Sequence, residues 1–315
     1  MFLKRLLFVA VLLALSLSAC GGVGTEVQTV RVAVLPVLDV LPMYVAQEQG
    51  YFEANGVLVE FVPVGAAPER DQLMQAGQVD AILNELVSTM FYNQDETQVK
   101  IVRFARVATT EYPVFRILAS ADSGIETVDD LAGVPVGISE GTVIAYTTER
   151  ILEKAGLTPD EIAEVAVPKI PDRLNLLQTG DLQAANLPDP VASLAVLNGA
   201  HVVIDDTSYP EISNSVITFS ADFIEAHPEA VRGFLAAYEQ AVADINADKS
   251  AWTAMMLEES LLPPPLADTY VLPDYPIASV PSEAQFADAL EWVQSKDLIE
   301  GVPTYADSVT AEFLP

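Results

Sequence analysis

Apolar and polar positions along this chain change period in a recurring order. Residues 30–35 (VRVAVL) are valine-rich and almost wholly apolar, the pattern of a strand buried on both faces of a parallel sheet, and they stop at Pro36. Residues 41–49 switch to helical spacing, with Pro42 where a first-turn proline is tolerated. Gly50 and Asn55-Gly56 punctuate the exit, and residues 57–64 supply a second strand. A helix over 68–75 is stopped by Gly77, residues 79–83 make a third strand, and 100–108 a fourth.

The same order then returns. Residues 115–119 read as a strand, 127–132 as a short helix opened by Thr-x-x-Asp, and 134–138 as another buried strand. Ser139-Glu140-Gly141-Thr142 is a loop into a helix that runs to about Ala155. A helix over 172–178 stops at Gly180, and the strand 184–187 runs into Pro188-Asp189-Pro190. Leu73, Gln75, Gly77 and Ala81 recur as Leu176, Gln178, Gly180 and Ala184, an offset of 103 residues. The repeat predicts two similar α/β lobes, with ligand held between them at the carboxyl ends of the strands, where backbone groups are left unpaired.

The last third is mostly helical. His227-Pro228-Glu229 opens a long helix through Asn246, with Phe234, Leu235, Tyr238, Ala241, Val242 and Ile245 as its apolar stripe. A proline-rich passage over 263–276 is expected to pack as a surface loop, and residues 284–294 form one more amphipathic helix. A strand over 215–219 brings the chain back from the second lobe. Residues 29–112 and 215–315 then make lobe 1, residues 113–214 make lobe 2, and two crossings form the hinge.

Ahead of these lobes, Lys4 and Arg5 precede a short apolar run, and Leu17-Ser18-Ala19-Cys20 closes it. Residues 1–19 read as a lipoprotein signal peptide, Cys20 as the lipidated residue, and 20–28 as a tether, so the membrane is contacted by lipid anchor only. A single cysteine allows no intramolecular disulfide and no cysteine-based metal cluster. The net charge of -30 excludes nucleic acid as a partner and suits a soluble monomer.

Several motifs in fixed order carry a family resemblance: Tyr44-Val45-Ala46 to Gly50-Tyr51-Phe52, Ala76-Gly77-Gln78-Val79-Asp80-Ala81, Val128-Asp129-Asp130-Leu131-Ala132-Gly133, Asp189-Pro190, and Ala221-Asp222-Phe223-Ile224 to His227-Pro228-Glu229. Behind a lipobox, the whole mature chain resembles the extracytoplasmic substrate-binding proteins of ABC importers that serve thiamine-pyrimidine precursors, nitrate and sulfonates. The resemblance implies a type II periplasmic-binding-protein fold, each lobe a mixed, mostly parallel sheet flanked by helices. It also implies a cleft that closes on a small molecule, and an ABC permease with its ATPase as partners.

The strand-end loops offer Asp39, Met43, Tyr44, Asn84, Glu85, Ser88, Glu111, Tyr112, Ser139, Glu140, Thr142, Asn186 and Asp189 as ligand contacts. None is a cation, and Glu140 stands at a helix start that an anion would need. Carboxylates accept from amino and ring N–H groups and tyrosines supply stacking surface, so these residues favour a heteroaromatic nutrient, a thiamine-precursor pyrimidine or a riboflavin-like ring. Asp189 is preferred among them for its Asp-Pro context, which matches the family's cleft loop. Arg70, Arg103 and Arg106 are expected to pair with acids; turned inward, they would reopen the nitrate or sulfonate reading.

Catalysis finds little support in the residue inventory. His201 and His227 lack spacing partners for a metal or a Ser/His/Asp arrangement, and Gly133 and Gly137 fit no phosphate-binding pattern. The reading therefore assigns no catalytic residue, no cofactor and no metal. A pyrimidine-synthesising enzyme of the same fold and a ligand-sensing lipoprotein are the rival classes.

Overall fold

A computed structural model describes residues 27–315; the leader and Cys20 lie outside them. The first lobe is built on β1 (Gln28–Val34), β2 (Val57–Pro63), β3 (Ala81–Asn84), β4 (Val99–Val107) and β10 (Asn214–Ser220), in the order β2-β1-β3-β10-β4. The second uses β5 (Phe115–Ala119), β6 (Pro135–Ile138), β7 (Ala163–Ala166), β8 (Ala184–Pro188) and β9 (His201–Asp205), in the order β7-β6-β8-β5-β9. In each sheet one strand runs against the rest, β10 in the first and β5 in the second. Those are the strands that arrive from the opposite lobe, so each crossing enters its new sheet antiparallel.

The repeat read from the sequence is carried by the register. Val32 pairs with Ala81 and Ala33 with Ile82 in the first sheet, as Val136 pairs with Ala184 and Gly137 with Ala185 in the second. The 103-residue offset therefore superposes β3 on β8. It also superposes the helices before them, α1 (Ala67–Gln75) and α2 (Ile170–Thr179). Strand β7 escaped the sequence reading because it is an edge with two half-buried and two exposed residues, without the apolar alternation that marks a packed strand.

Asp206, just past the end of β9, holds the first crossing. Its buried carboxylate accepts hydrogen bonds from the backbone N–H groups of Val114 and Phe115, the latter at 2.8 Å, and burial pushes its pKa up to about 6. The proline-rich passage does more than cover a surface. Leu272 and Tyr275 are buried in it, and Tyr275 donates to the Leu38 carbonyl at 2.5 Å.

A later helix, Glu283–Ser295, lies against both lobes. Its Phe286, Ala289, Trp292 and Val293 share one apolar cluster with Leu86, Val87 and Met90 of the first lobe and Ile144, Ala145 and Tyr146 of the second. Trp292 Nε1 donates to Glu149 at 3.1 Å, and the Tyr146 hydroxyl donates to Asp288. Each large side chain buried in such a cluster contributes roughly 1.5–3 kcal/mol.

Candidate functional site

The cavity between the lobes encloses about 90 Å³ and opens to solvent at its mouth. The carboxyl ends of strands face it from both sides. Leu35 follows β1 and Asn84 ends β3 in lobe 1, while Ser139 follows β6 and Pro188 ends β8 in lobe 2. Val114, Phe115 and Ser215 of the crossing segments close its back.

Two buried arginines line the wall, one from each lobe, at positions related by the repeat: Arg70 on α1 and Arg173 on α2. Each reaches across to the end of the neighbouring strand. Arg70 Nη1 donates to the Leu83 carbonyl at 3.1 Å, and Arg173 Nε donates to the equivalent Asn186 carbonyl at 2.8 Å. Their charges are handled differently. Arg70 Nε meets Asp71 at 2.8 Å, Nη2 donates to Ser88 Oγ at 2.8 Å, and Glu85 lies 3.8 Å away. Arg173 has only carbonyl partners, adding Val167 at 2.7 Å through Nη1, and its buried Nη2 is left without any.

Burial alone lowers the Arg173 pKa to about 10, so the group stays charged at neutral pH. A buried guanidinium without a carboxylate is costly unless a counter-charge arrives from outside. Two further features of this wall suit an anion. Ser139 Oγ is buried without a partner, and Thr142 caps the N-terminus of the twelve-residue helix Val143–Lys154, where backbone N–H groups and the helix dipole favour negative charge. Val114, Phe115, Ile144 and Pro188 give the same cavity an apolar side.

Of the residues singled out in the sequence, Asp39, Asn84, Glu85, Ser139 and Thr142 line this cavity. Ser88 stands behind it and ties Glu85 to Arg70. Asn186 is buried and fastens β8 to the helix above, donating to Thr148 Oγ1 at 2.9 Å. The Asp39 carboxylate accepts from the Ser215 hydroxyl and lies 3.7 Å from Arg106.

The others are elsewhere. Met43 is fully buried in the lobe 1 core, where helical spacing rather than cleft chemistry places it. Glu140 is exposed and lies outside the cavity wall, so it does not oppose an anion at the helix it precedes. Tyr44 packs on Phe61 at 4.8 Å and borders a separate groove with Glu259. Glu111, Tyr112 and Asp189 line another cavity beside the hinge. There the Asp189 carboxylate is consumed by Tyr270 and Ser193, each donating at 2.6 Å, with Arg116 at 3.4 Å.

Arg103 and Arg106 pair with acids as expected, Arg103 with Glu239 at 2.8 Å and Arg106 with Asp39. Arg173 was missed by sequence reasoning, although a signal for it existed. The repeat recognised from Leu73 and Leu176 extends three residues upstream to Arg70 and Arg173.

A family model described as NMT1/THI5 like matches residues 38–250, more than half of the chain. Two curated relatives are named for binding aliphatic sulfonates. One, from Escherichia coli (strain K12), is 26% identical over 54% of this chain and 53% of its own length. The other, from Bacillus subtilis (strain 168), is 22% identical over 76% of this chain and 74% of its own. The chain thus spans about half the length of the first and three quarters of the second. Among solved structures, the alkanesulfonate-binding protein of Xanthomonas axonopodis pv. citri bound to MOPS has a TM-score of 0.75 at 19% identity, covering 90% of this chain and 98% of that one. A structure described as a desulfurization enzyme has a TM-score of 0.66 at 17% identity, covering 91% and 97%. The shared fold therefore does not by itself separate binding from catalysis.

Proposed function

From the premise that the chain belongs to the NMT1/THI5-like family, we propose that it is the extracytoplasmic substrate-binding component of an ABC importer, anchored by lipid on Cys20, and that its cleft captures a small organic monoanion of the sulfonate class. The observation that carries this reading is the Arg173 guanidinium, buried in the cleft wall with carbonyl partners alone and with Nη2 left without any. A sulfonate would set its charge against Arg173, Ser139 and the helix start at Thr142, and its organic part against Val114, Phe115 and Pro188. The names of the sulfonate-binding relatives point the same way.

The heteroaromatic alternative loses its two tyrosines, because Tyr44 and Tyr112 border other cavities, and Phe115 is the one aromatic ring among the described residues of the wall. Binding is favoured over catalysis because the cavity wall contains no histidine, cysteine, lysine or tyrosine among the described residues. Contacts drawn from both lobes would stabilise a closed state that the permease recognises.

Calorimetric titration of the purified protein with ethanesulfonate, nitrate and hydroxymethylpyrimidine tests the reading. Ethanesulfonate is expected to bind most tightly, because nitrate leaves the apolar side unfilled. At a hundredfold excess over its Kd it should stabilise the fold by about 2.7 kcal/mol. Heat from the pyrimidine with none from either anion would overturn the assignment. For the anchor, Cys20→Ser should release the protein from the membrane fraction while leaving it exported.

A further inference from the structure

The two arginines share a backbone device but not a set of partners. At the 103-residue offset, Asp71, Glu85 and Ser88 around Arg70 become Leu174, Pro188 and Val191 around Arg173. All three polar partners of the first guanidinium are replaced by apolar residues at the second. The wall therefore contains two buried cations, and of these only Arg70 is paired with acids, Asp71 at 2.8 Å and Glu85 at 3.8 Å. Among the partners of Arg70, Glu85 is the buried carboxylate that itself lines the cavity. Both its oxygens accept from Ser88, Oε1 from Oγ at 2.5 Å and Oε2 from the backbone N–H at 3.1 Å, which fixes it in place; burial raises its pKa above the usual carboxylate value, against the opposing pull of Arg70 and these two bonds.

We propose that Glu85 is a specificity-determining residue: as a carboxylate in the cleft wall beside an Arg70 that Asp71 already pairs, it opposes the charge of Arg173 and so selects singly charged over doubly charged anions. This inference rests on the anion-binding reading of the cleft. Its physical content is a scaling rule. A fixed charge changes the potential in the cavity, and the work of bringing in a ligand scales with the ligand's own charge. Removing the Glu85 charge should therefore shift the logarithm of affinity about twice as far for a dianion as for a monoanion of the same size. A change in shape or packing has no such dependence on ligand charge.

Methanesulfonate and sulfate are well matched probes, nearly equal in size and differing by one charge. Glu85→Gln preserves the side-chain length and can still accept from Ser88 N–H at the helix start. Titrated calorimetrically at pH 8, the variant should bind sulfate at least tenfold more tightly than the parent and methanesulfonate about threefold more tightly. The double variant Arg70→Gln/Glu85→Gln, which removes one positive and one negative charge together, should return the sulfate-to-methanesulfonate ratio to the parental value. Equal changes for both ligands, or an unchanged ratio in Glu85→Gln with a parental melting temperature, would overturn the role of Glu85. Arg173→Gln separates the two readings. If it binds methanesulfonate as tightly as the parent does, the anion site itself is misplaced; if it loses both ligands while Glu85→Gln leaves their ratio unchanged, only the inference about Glu85 fails.

Discussion

Lobe 1 and lobe 2 place an arginine at the same point of the same strand–helix unit, and the two lobes use it differently. In lobe 1 the guanidinium is enclosed by Asp71, Glu85 and Ser88, so it works as a structural tie between α1, the end of β3 and the helix that follows. In lobe 2 the guanidinium meets only carbonyl oxygens and keeps one nitrogen bare. A duplicated backbone thus preserves geometry while the surrounding side chains decide whether a charge is spent internally or kept for a ligand. The same contrast appears at the sheet edge. Register places Phe61 of β2, which packs on Tyr44, opposite Glu164 of β7 in the repeat. Burial, and secondarily Glu149, push the Glu164 pKa up to about 8.

These contrasts can be broken in order of expected size. Arg70→Met strands Glu85 in the cavity wall and should cost about 3–5 kcal/mol in urea unfolding, because a buried charge loses its partner. Arg173→Gln should instead leave the unfolding midpoint close to the parent's and weaken ethanesulfonate about a hundredfold, near 2.7 kcal/mol, in a calorimetric titration. If Arg173 proves the more important for stability, the division of labour between the lobes is reversed.

Gly137 sharpens the comparison at an intermediate scale. A Cβ there would lie 2.7 Å from Leu182 Cδ1 and 3.3 Å from Arg173 Cγ. Gly137→Ala should therefore cost about 1–3 kcal/mol through overpacking and also weaken the ligand by displacing Arg173; a stable variant with unchanged affinity would remove Gly137 from the support of the site.

The smallest effect is set by pH. Glu164 keeps its proton up to about pH 8 in the folded state, whereas an unfolded glutamate loses it near pH ~4.3. The fold therefore binds the extra proton between those values, and stability falls as pH rises through that window. Glu164→Gln should match the parent at pH 4 and exceed it by about 1–2 kcal/mol at pH 8, seen as a melting temperature higher by a few degrees. Parallel pH profiles for the two proteins would place Glu164 in water rather than in the sheet.

The local pattern of residues was enough to mark most of this architecture. Valine-rich runs, helical spacing and glycine stops placed β1, β3, β6, β8 and the long helix Pro228–Ala247, and the Leu-x-Gln-x-Gly repeat announced two lobes, because backbone preference and burial are written in neighbouring positions. The pairing of Arg70 with Asp71 was also within reach, since the two are adjacent in the chain. What the tertiary structure alone decided is which charges survive uncancelled. Glu140 is exposed, Asp189 is consumed by Tyr270 from 81 residues away, and Arg173 has no acid beside it. Each of these outcomes depends on groups that the chain brings together only by folding, and a charge buried in a low-dielectric wall is governed by what lies within a few ångströms of it rather than by its neighbours in sequence.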